Sequence, residues 1–187
     1  MYVEPEGYFT PSMKKILEEG EKKKNILFEH LSRHCMDFSD RGYTGFTVYD
    51  DGSYYRTSYK TNGNTEKLFS SVNLKKFDEK DYKRTLNFTS KKLSTIINKF
   101  LSTHYEEIKS LPESVSNPFV LDGDEDIVRI GDKVVTGCNI FYSVPYKFEA
   151  ITSKGPYYLD QKNEKALELI TTLYAEIKKI VDKERGK

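Results

Sequence analysis

Apolar residues recur along this chain with two different periods, and the change from one to the other divides it into elements. Near the start, Thr10-Pro11-Ser12 offers a hydroxyl for an orphan amide and a proline suited to a first helical turn. From there Met13, Ile16, Leu17, Gly20, Leu27, Phe28, Leu31 and Cys35 share one face at about 3.6 residues per turn, which predicts a first helix. Lys24 falls in the middle of that face. A buried, unpaired ammonium is expensive, so a break or an exposed stretch is expected around Gly20 to Asn25. A second helix opens at Thr89 or Ser90, carries Leu93, Ile96, Ile97, Phe100, Leu101, Ile108 and Leu111 on one stripe, and ends before Pro112. A third runs from about Asn163 to Lys183, with Ala166, Leu167, Ile170, Leu173, Tyr174, Ile177 and Val181 inward.

Between the first two helices the period changes to two. Tyr43 to Lys60 reads as a β-hairpin turning at Asp51-Gly52, where a tight turn needs positive φ. A two-residue turn there pairs Val48 with Tyr55 and Phe46 with Thr57. Phe46, Val48, Tyr55 and Tyr59 then share one face, and Thr47, Tyr49, Tyr54 and Arg56 the other. A further turn at Asn62-Gly63-Asn64 leads to a third strand near Lys67 to Val72. After the second helix, strands are expected at Ile127 to Ile130, Lys133 to Thr136, Asn139 to Val144 and Tyr146 to Ile151. The order α-βββ-α-ββββ-α, with short turns between consecutive strands, predicts an α+β fold: a mainly antiparallel sheet of six or seven strands packed by three helices.

Length and composition set the scale of this picture. At 187 residues with no repeat, low-complexity tract or linker, the expectation is one domain spanning residues 1–187. Fourteen Tyr and eleven Phe argue against disorder. No run approaches the roughly 20 apolar residues that cross a bilayer, the opening Met1-Tyr2-Val3-Glu4-Pro5-Glu6 lacks the pattern of a signal peptide, and Cys35 and Cys138 are too few for a disulfide framework. A cytoplasmic protein without membrane contact is expected. Thirty basic residues against 29 acidic ones give a net charge of +1, which names no partner. The distribution is uneven: residues 74 to 99 hold eight basic and three acidic side chains, residues 112 to 132 one basic and six acidic.

Motifs with chemistry are sparse. Asp122, Asp124 and Asp126 stand at alternate positions, as a hard cation would want, but Ile127 and Lys133 occupy the positions where a calcium loop needs glycine and a bidentate glutamate. Glu125, Asp126, Asp132 and Lys133 do not have the spacing of a metal-dependent nuclease. His30 and His34, four apart on the expected helix, could present two imidazoles to one metal, without the glutamate of a metalloprotease helix. His104 falls inside the apolar stripe of the second helix, as a core histidine does. Phosphate-cradling glycine loops and a serine elbow are absent, and Cys35 beside His34 is no thiolate dyad, so no cofactor is expected.

Two surfaces remain as binding candidates. The outer hairpin face, with Tyr49, Tyr54, Arg56 and Thr47, combines residue types that anchor interfaces and stack on unpaired bases. The basic run Lys75, Lys76, Lys80, Lys83, Arg84, Lys91 and Lys92 could neutralise phosphates, although Asp78, Glu79 and Asp81 interrupt it. The reading that needs no motif is a non-catalytic module that docks onto another protein, as immunity proteins and phage-borne inhibitors do. Nucleic-acid binding through the basic run and the hairpin is the alternative, and a metal-dependent hydrolase the third.

Overall fold

In the computed structural model the residues described are 24–34, 42–59, 82–116, 124–141, 150–152, 155–157 and 161–186. Their organising feature is a seven-stranded sheet of β1 (Ile26–His34), β2 (Tyr43–Tyr49), β3 (Ser53–Tyr59), β4 (Tyr82–Thr89), β5 (Ser114–Ser116), β6 (Asp124–Ile130) and β7 (Lys133–Cys138). The spatial order is β4-β3-β2-β1-β6-β7-β5, antiparallel throughout except for the parallel β5–β7 pair. Helix α1 (Lys91–Thr103) and the short α2 (Tyr105–Lys109) follow β4, and α3 (Gln161–Arg185) closes the described chain. A separate two-stranded ribbon, β8 (Ala150–Thr152) and β9 (Gly155–Tyr157), precedes α3. The α+β class and the mainly antiparallel sheet with three helices agree with the sequence pattern.

The first expected helix does not form over Ile26–His34. This segment is β1, at the centre of the sheet between β2 and β6. The physical reason is its burial on both faces: Leu27, Phe28, Glu29 and Leu31 are all buried. A strand covered on both sides loses the alternation that identifies strands, and its apolar spacing then imitates a helix. Of the stretch from Gly20 to Asn25, Lys24 and Asn25 are described; both are exposed, and Lys24 Nζ pairs with Asp51 Oδ2 at 2.7 Å. The part of that helix before residue 24, Cys35, and the expected strand at Lys67 to Val72 lie outside the described residues.

The hairpin forms with a register one residue away from expectation. Val48 pairs with Tyr54, Phe46 with Arg56 and Thr47 with Tyr55. The turn holds three residues, Asp50, Asp51 and Gly52, rather than two. Gly52 N–H donates to Tyr49 O at 2.9 Å and Gly52 has φ +81°, the arrangement of a type I turn closed by a left-handed residue. A one-residue slip moves every side chain to the other face. Tyr54 and Arg56 therefore share the face of Phe46 and Val48, while Tyr55, Thr57 and Tyr59 join Thr47 and Tyr49 on the opposite one.

Cross-strand rows show how the sheet is built. On the face that carries α1 and α3, one row reads Ile130, Phe28, Val48, Tyr54, Phe88. It packs against Leu93 and Ile97 of α1 and Leu167, Ile170, Leu173 and Ile177 of α3, which form the main core. The next row reads Val128, His30, Phe46, Arg56, Thr85, and the one after it Asp126, Ser32, Thr44, Ser58, Lys83. Along one face the floor thus passes from apolar through mixed to polar.

The opposite face holds a second apolar cluster of Leu31, Tyr43, Tyr59 and Ile127, with Tyr82 and Val134 packed on it. Beside it sits Glu29, only 2% exposed. Its carboxylate accepts from Thr47 Oγ1 at 2.7 Å and from Arg84 Nη2 at 3.4 Å, and Arg129 Nε lies 3.9 Å away. Thr47 and Thr57 hydroxyls are 2.6 Å apart and continue the chain. Arg33 and Glu125 pair at 2.9 Å on the same face.

The second helix bends where His104 ends α1 and precedes α2. The expected core histidine is instead half-buried at that junction, hydrogen-bonded to the Glu107 carboxylate and against the Phe100 ring. Lys83 and Arg84 of the basic run belong to strand β4, whose pairing with β3 is irregular between Tyr54 and Tyr55. Asn139, with φ +60°, turns the chain after β7, where a strand was expected to begin.

Two outcomes are expected. A Cβ on Gly45 would lie 1.8 Å from the His30 carbonyl oxygen, so Gly45→Ala forces β1 and β2 apart. The variant should lose about 3 kcal/mol of stability in urea titration, at the upper end for overpacking. The second concerns Asp51. Burial raises its carboxyl, but hydrogen bonds from Lys24 and Ser53 together outweigh this and hold it at about 2, below the ordinary 3.8. Its folded-state value is depressed, so its contribution is present above about pH 4 and lost as the pH falls towards 2. The stability difference between wild type and Asp51→Asn, at most about 1 kcal/mol for so exposed a pair, should shrink over that window.

Candidate functional site

Where α3 stops covering the sheet, the mixed and polar rows become the floor of a groove of about 700 Å³. Its lining includes His30 from β1, Thr44 and Phe46 from β2, Arg56 and Ser58 from β3, Lys83 and Thr85 from β4, and Tyr174 and Arg185 from α3. Sheet register explains the grouping, since His30, Phe46, Arg56 and Thr85 form one cross-strand row and Thr44, Ser58 and Lys83 belong to the next. Arg56, Lys83 and Arg185 are exposed and arrive from three elements. Among the described residues that line the groove there is no carboxylate.

Tyr54 forms the boundary between groove and core. Its ring stacks between Phe46 and Phe88 at centroid distances of 5.1 and 4.9 Å. The Arg185 guanidinium lies 5.7 Å from the same ring and Nη2 is 3.5 Å from the phenol oxygen, which seats the end of α3 at the groove. Burial pushes the Tyr54 phenol above its ordinary value. Burial and then the Asp126 carboxylate do the same for Tyr174, so both phenols stay protonated near neutral pH.

At the inner end lies a histidine–carboxylate pair. His30 Nε2 is 2.8 Å from Asp126 Oδ1, and Asp126 Oδ2 accepts from the Ile140 backbone N–H at 2.9 Å. The imidazole is held by rings on three sides: Phe141 at 4.3 Å, Tyr174 at 5.5 Å and Phe46 at 6.1 Å. Because a carboxylate only accepts, Nε2 is the protonated nitrogen in the neutral ring, and Nδ1 is the nitrogen left for chemistry.

Comparison with protein-family models, curated proteins and solved structures returned no match.

The residues singled out in the sequence are redistributed. Thr47 and Tyr54 are buried, Tyr49 is half-buried edge-on to Tyr55, and only Arg56 of that set reaches the groove. Of the basic run, Lys83 lines the groove, Arg84 turns to Glu29 on the other face, and Lys91 and Lys92 are exposed at the start of α1. Lys75, Lys76, Lys80 and Asp122 lie outside the described residues. On a strand, His30 and His34 are separated by four residues of about 3.4 Å rise each, too far to share a metal ion. Asp126 is committed to His30, Glu125 to Arg33, and Asp124 N–H to Asn139 Oδ1 at 2.8 Å. Among the described residues no three His, Cys, Asp or Glu side chains are grouped to hold a metal, and no described helix is long and apolar enough to cross a membrane. Arg185 and the His30–Asp126 pair escaped sequence reading because their partners lie 131 and 96 residues away.

Breaking the buried pair should be costly. Asp126→Ala leaves the Ile140 N–H and His30 without their acceptor and should lose about 3–5 kcal/mol in chemical denaturation. Asp126→Asn keeps an acceptor for Ile140 and should lose clearly less. Equal losses would show that the carboxylate charge, rather than the acceptor, is what the fold needs.

Proposed function

We propose that the protein binds single-stranded nucleic acid in the groove between α3 and strands β1–β4. The observation that carries this reading is the convergence of Arg56, Lys83 and Arg185 on one groove with no carboxylate among the described residues that line it. Cations beside aromatic rings and hydroxyls suit a phosphate backbone with unpaired bases, which stack on rings and guanidinium planes. Phe46, Tyr174 and His30 supply the rings, and Thr44, Ser58 and Thr85 the hydroxyls. The groove is short, which fits a strand segment rather than an extended duplex.

Docking onto an acidic segment of another protein is the second reading. The chain's net charge of +1 favours it, since a nucleic-acid binder usually carries a broader positive field. Arg56 would serve either ligand, because guanidinium groups bind carboxylates and phosphates alike.

Fluorescence anisotropy with a labelled single-stranded oligonucleotide and a labelled poly-glutamate peptide separates the two. The oligonucleotide should bind with a log–log salt slope near −2, about 0.7 for each of three phosphates. The Arg56→Glu, Lys83→Glu variant should weaken it on the order of tenfold or more and flatten the slope. Tighter binding of the peptide than of the oligonucleotide turns the reading to protein docking. Binding of neither sinks the groove as a polyanion site.

A further inference from the structure

We infer that the groove cleaves RNA, with His30 as the general base and Asp126 as its positioning residue. The inference rests on the nucleic-acid reading of the groove and adds an activity to it. Three observations carry it. First, the orientation of the imidazole is fixed at every point: Asp126 Oδ1 holds Nε2 at 2.8 Å, the Ile140 N–H holds Asp126, and three aromatic rings hold the imidazole plane. A carboxylate that fixes the tautomer and leaves the other ring nitrogen as a base is the arrangement acid–base catalysis needs. Second, this histidine lines the same groove as the three cations and is not sealed within the core. Third, register sets the spacing. Arg56 stands two strands from His30 in one row, about 10 Å between Cα atoms at roughly 4.8 Å per strand, and Lys83 one strand beyond Arg56 and one row further along. Their long side chains can hold a phosphate whose neighbouring ribose lies over His30.

The chemistry that fits is an internal transesterification. Nδ1 takes the proton of the ribose 2′-hydroxyl, O2′ attacks the adjacent phosphorus, and the P–O5′ bond breaks with its electron pair on O5′. The leaving oxygen takes a proton from water, and the imidazolium returns its own to the hydroxide so formed. The products are a 2′,3′-cyclic phosphate and a free 5′-hydroxyl, with no other reactant consumed. Arg56, Lys83 and Arg185 oppose the charge that grows on the phosphoryl oxygens. The nucleophile belongs to the substrate, which agrees with the lack of any hydrogen bond from a protein hydroxyl to His30 among the described residues.

The test uses the full-length protein with EDTA present and three end-labelled oligonucleotides of one sequence: RNA, 2′-O-methyl RNA and DNA. The RNA should be cut to cyclic-phosphate ends, and the other two bound but left intact. His30→Gln should lower the cleavage rate at saturating RNA at least a hundredfold, far more than it weakens the binding of 2′-O-methyl RNA. Asp126→Asn should lower kcat at unchanged KM and displace the acid limb of the pH–rate profile. Intact RNA under conditions where 2′-O-methyl RNA is bound overturns the inference and leaves the binding site standing. So does cleavage by His30→Gln at the wild-type rate. Failure to bind either nucleic acid overturns the reading of the groove itself. The comparison among substrates depends on no variant, so it holds even if His30→Gln folds poorly.

Discussion

Strand β1 is buried on both faces, and everything around it answers that constraint. Two of its neighbouring residues are polar and point to opposite sides. Glu29 turns to one face, where Thr47, Arg84 and Arg129 gather round its carboxylate. His30 turns to the other, where Asp126 receives it. An unpaired polar group at the centre of a sheet costs several kcal/mol, so each had to recruit partners from neighbouring strands. β2, β4 and β6 supply them, and the result is a sheet pinned by polar contacts on both sides of its central strand.

That constraint also decides where the core ends. The row through Phe28 is apolar from Ile130 to Phe88 and lies beneath α1 and α3, while two residues along β1 the row through His30 already contains Arg56 and Thr85. Helix α3 follows the apolar row and reaches the mixed one with Tyr174 and Arg185. The groove is therefore the place where a continuous sheet outruns its helical cover. Its cations are tolerated because they sit on the exposed side of that boundary, and Tyr54, stacked between Phe46 and Phe88, keeps the core dry behind them.

The elements most legible in the sequence are those with one buried face. Helix α3 shows a clean 3.6-residue stripe, and Ala166, Leu167, Ile170, Leu173, Ile177 and Val181 are buried as that stripe requires. Strands β6 and β7, on either side of Gly131-Asp132, were equally plain. Strand β1 was not, because burial of both faces erases alternation. The hairpin was found but its faces were exchanged, since Asp50-Asp51-Gly52 adds one residue to the turn and only backbone geometry reveals it. The candidate site suffered most from that single slip. Arg56 and Tyr49, read as sharing a face, stand on opposite faces of the sheet, and the cations that line the groove with Arg56, namely Lys83 and Arg185, come from segments 27 and 129 positions away.

A structural role for the His30–Asp126 pair does not compete with a chemical one. Burial of Asp126 at 2% exposure demands a donor, and the backbone N–H of Ile140 alone fills only one of its oxygens. His30 fills the other, so the fold itself fixes which ring nitrogen is spent and which is left. Had a lysine or arginine been the partner, the carboxylate would be satisfied but the groove would gain another cation and no base. Imidazole is the side chain that can satisfy a buried carboxylate with one nitrogen and keep a proton acceptor on the second. The same contact that stabilises the centre of the sheet thus leaves a base at the inner end of a groove lined with cations.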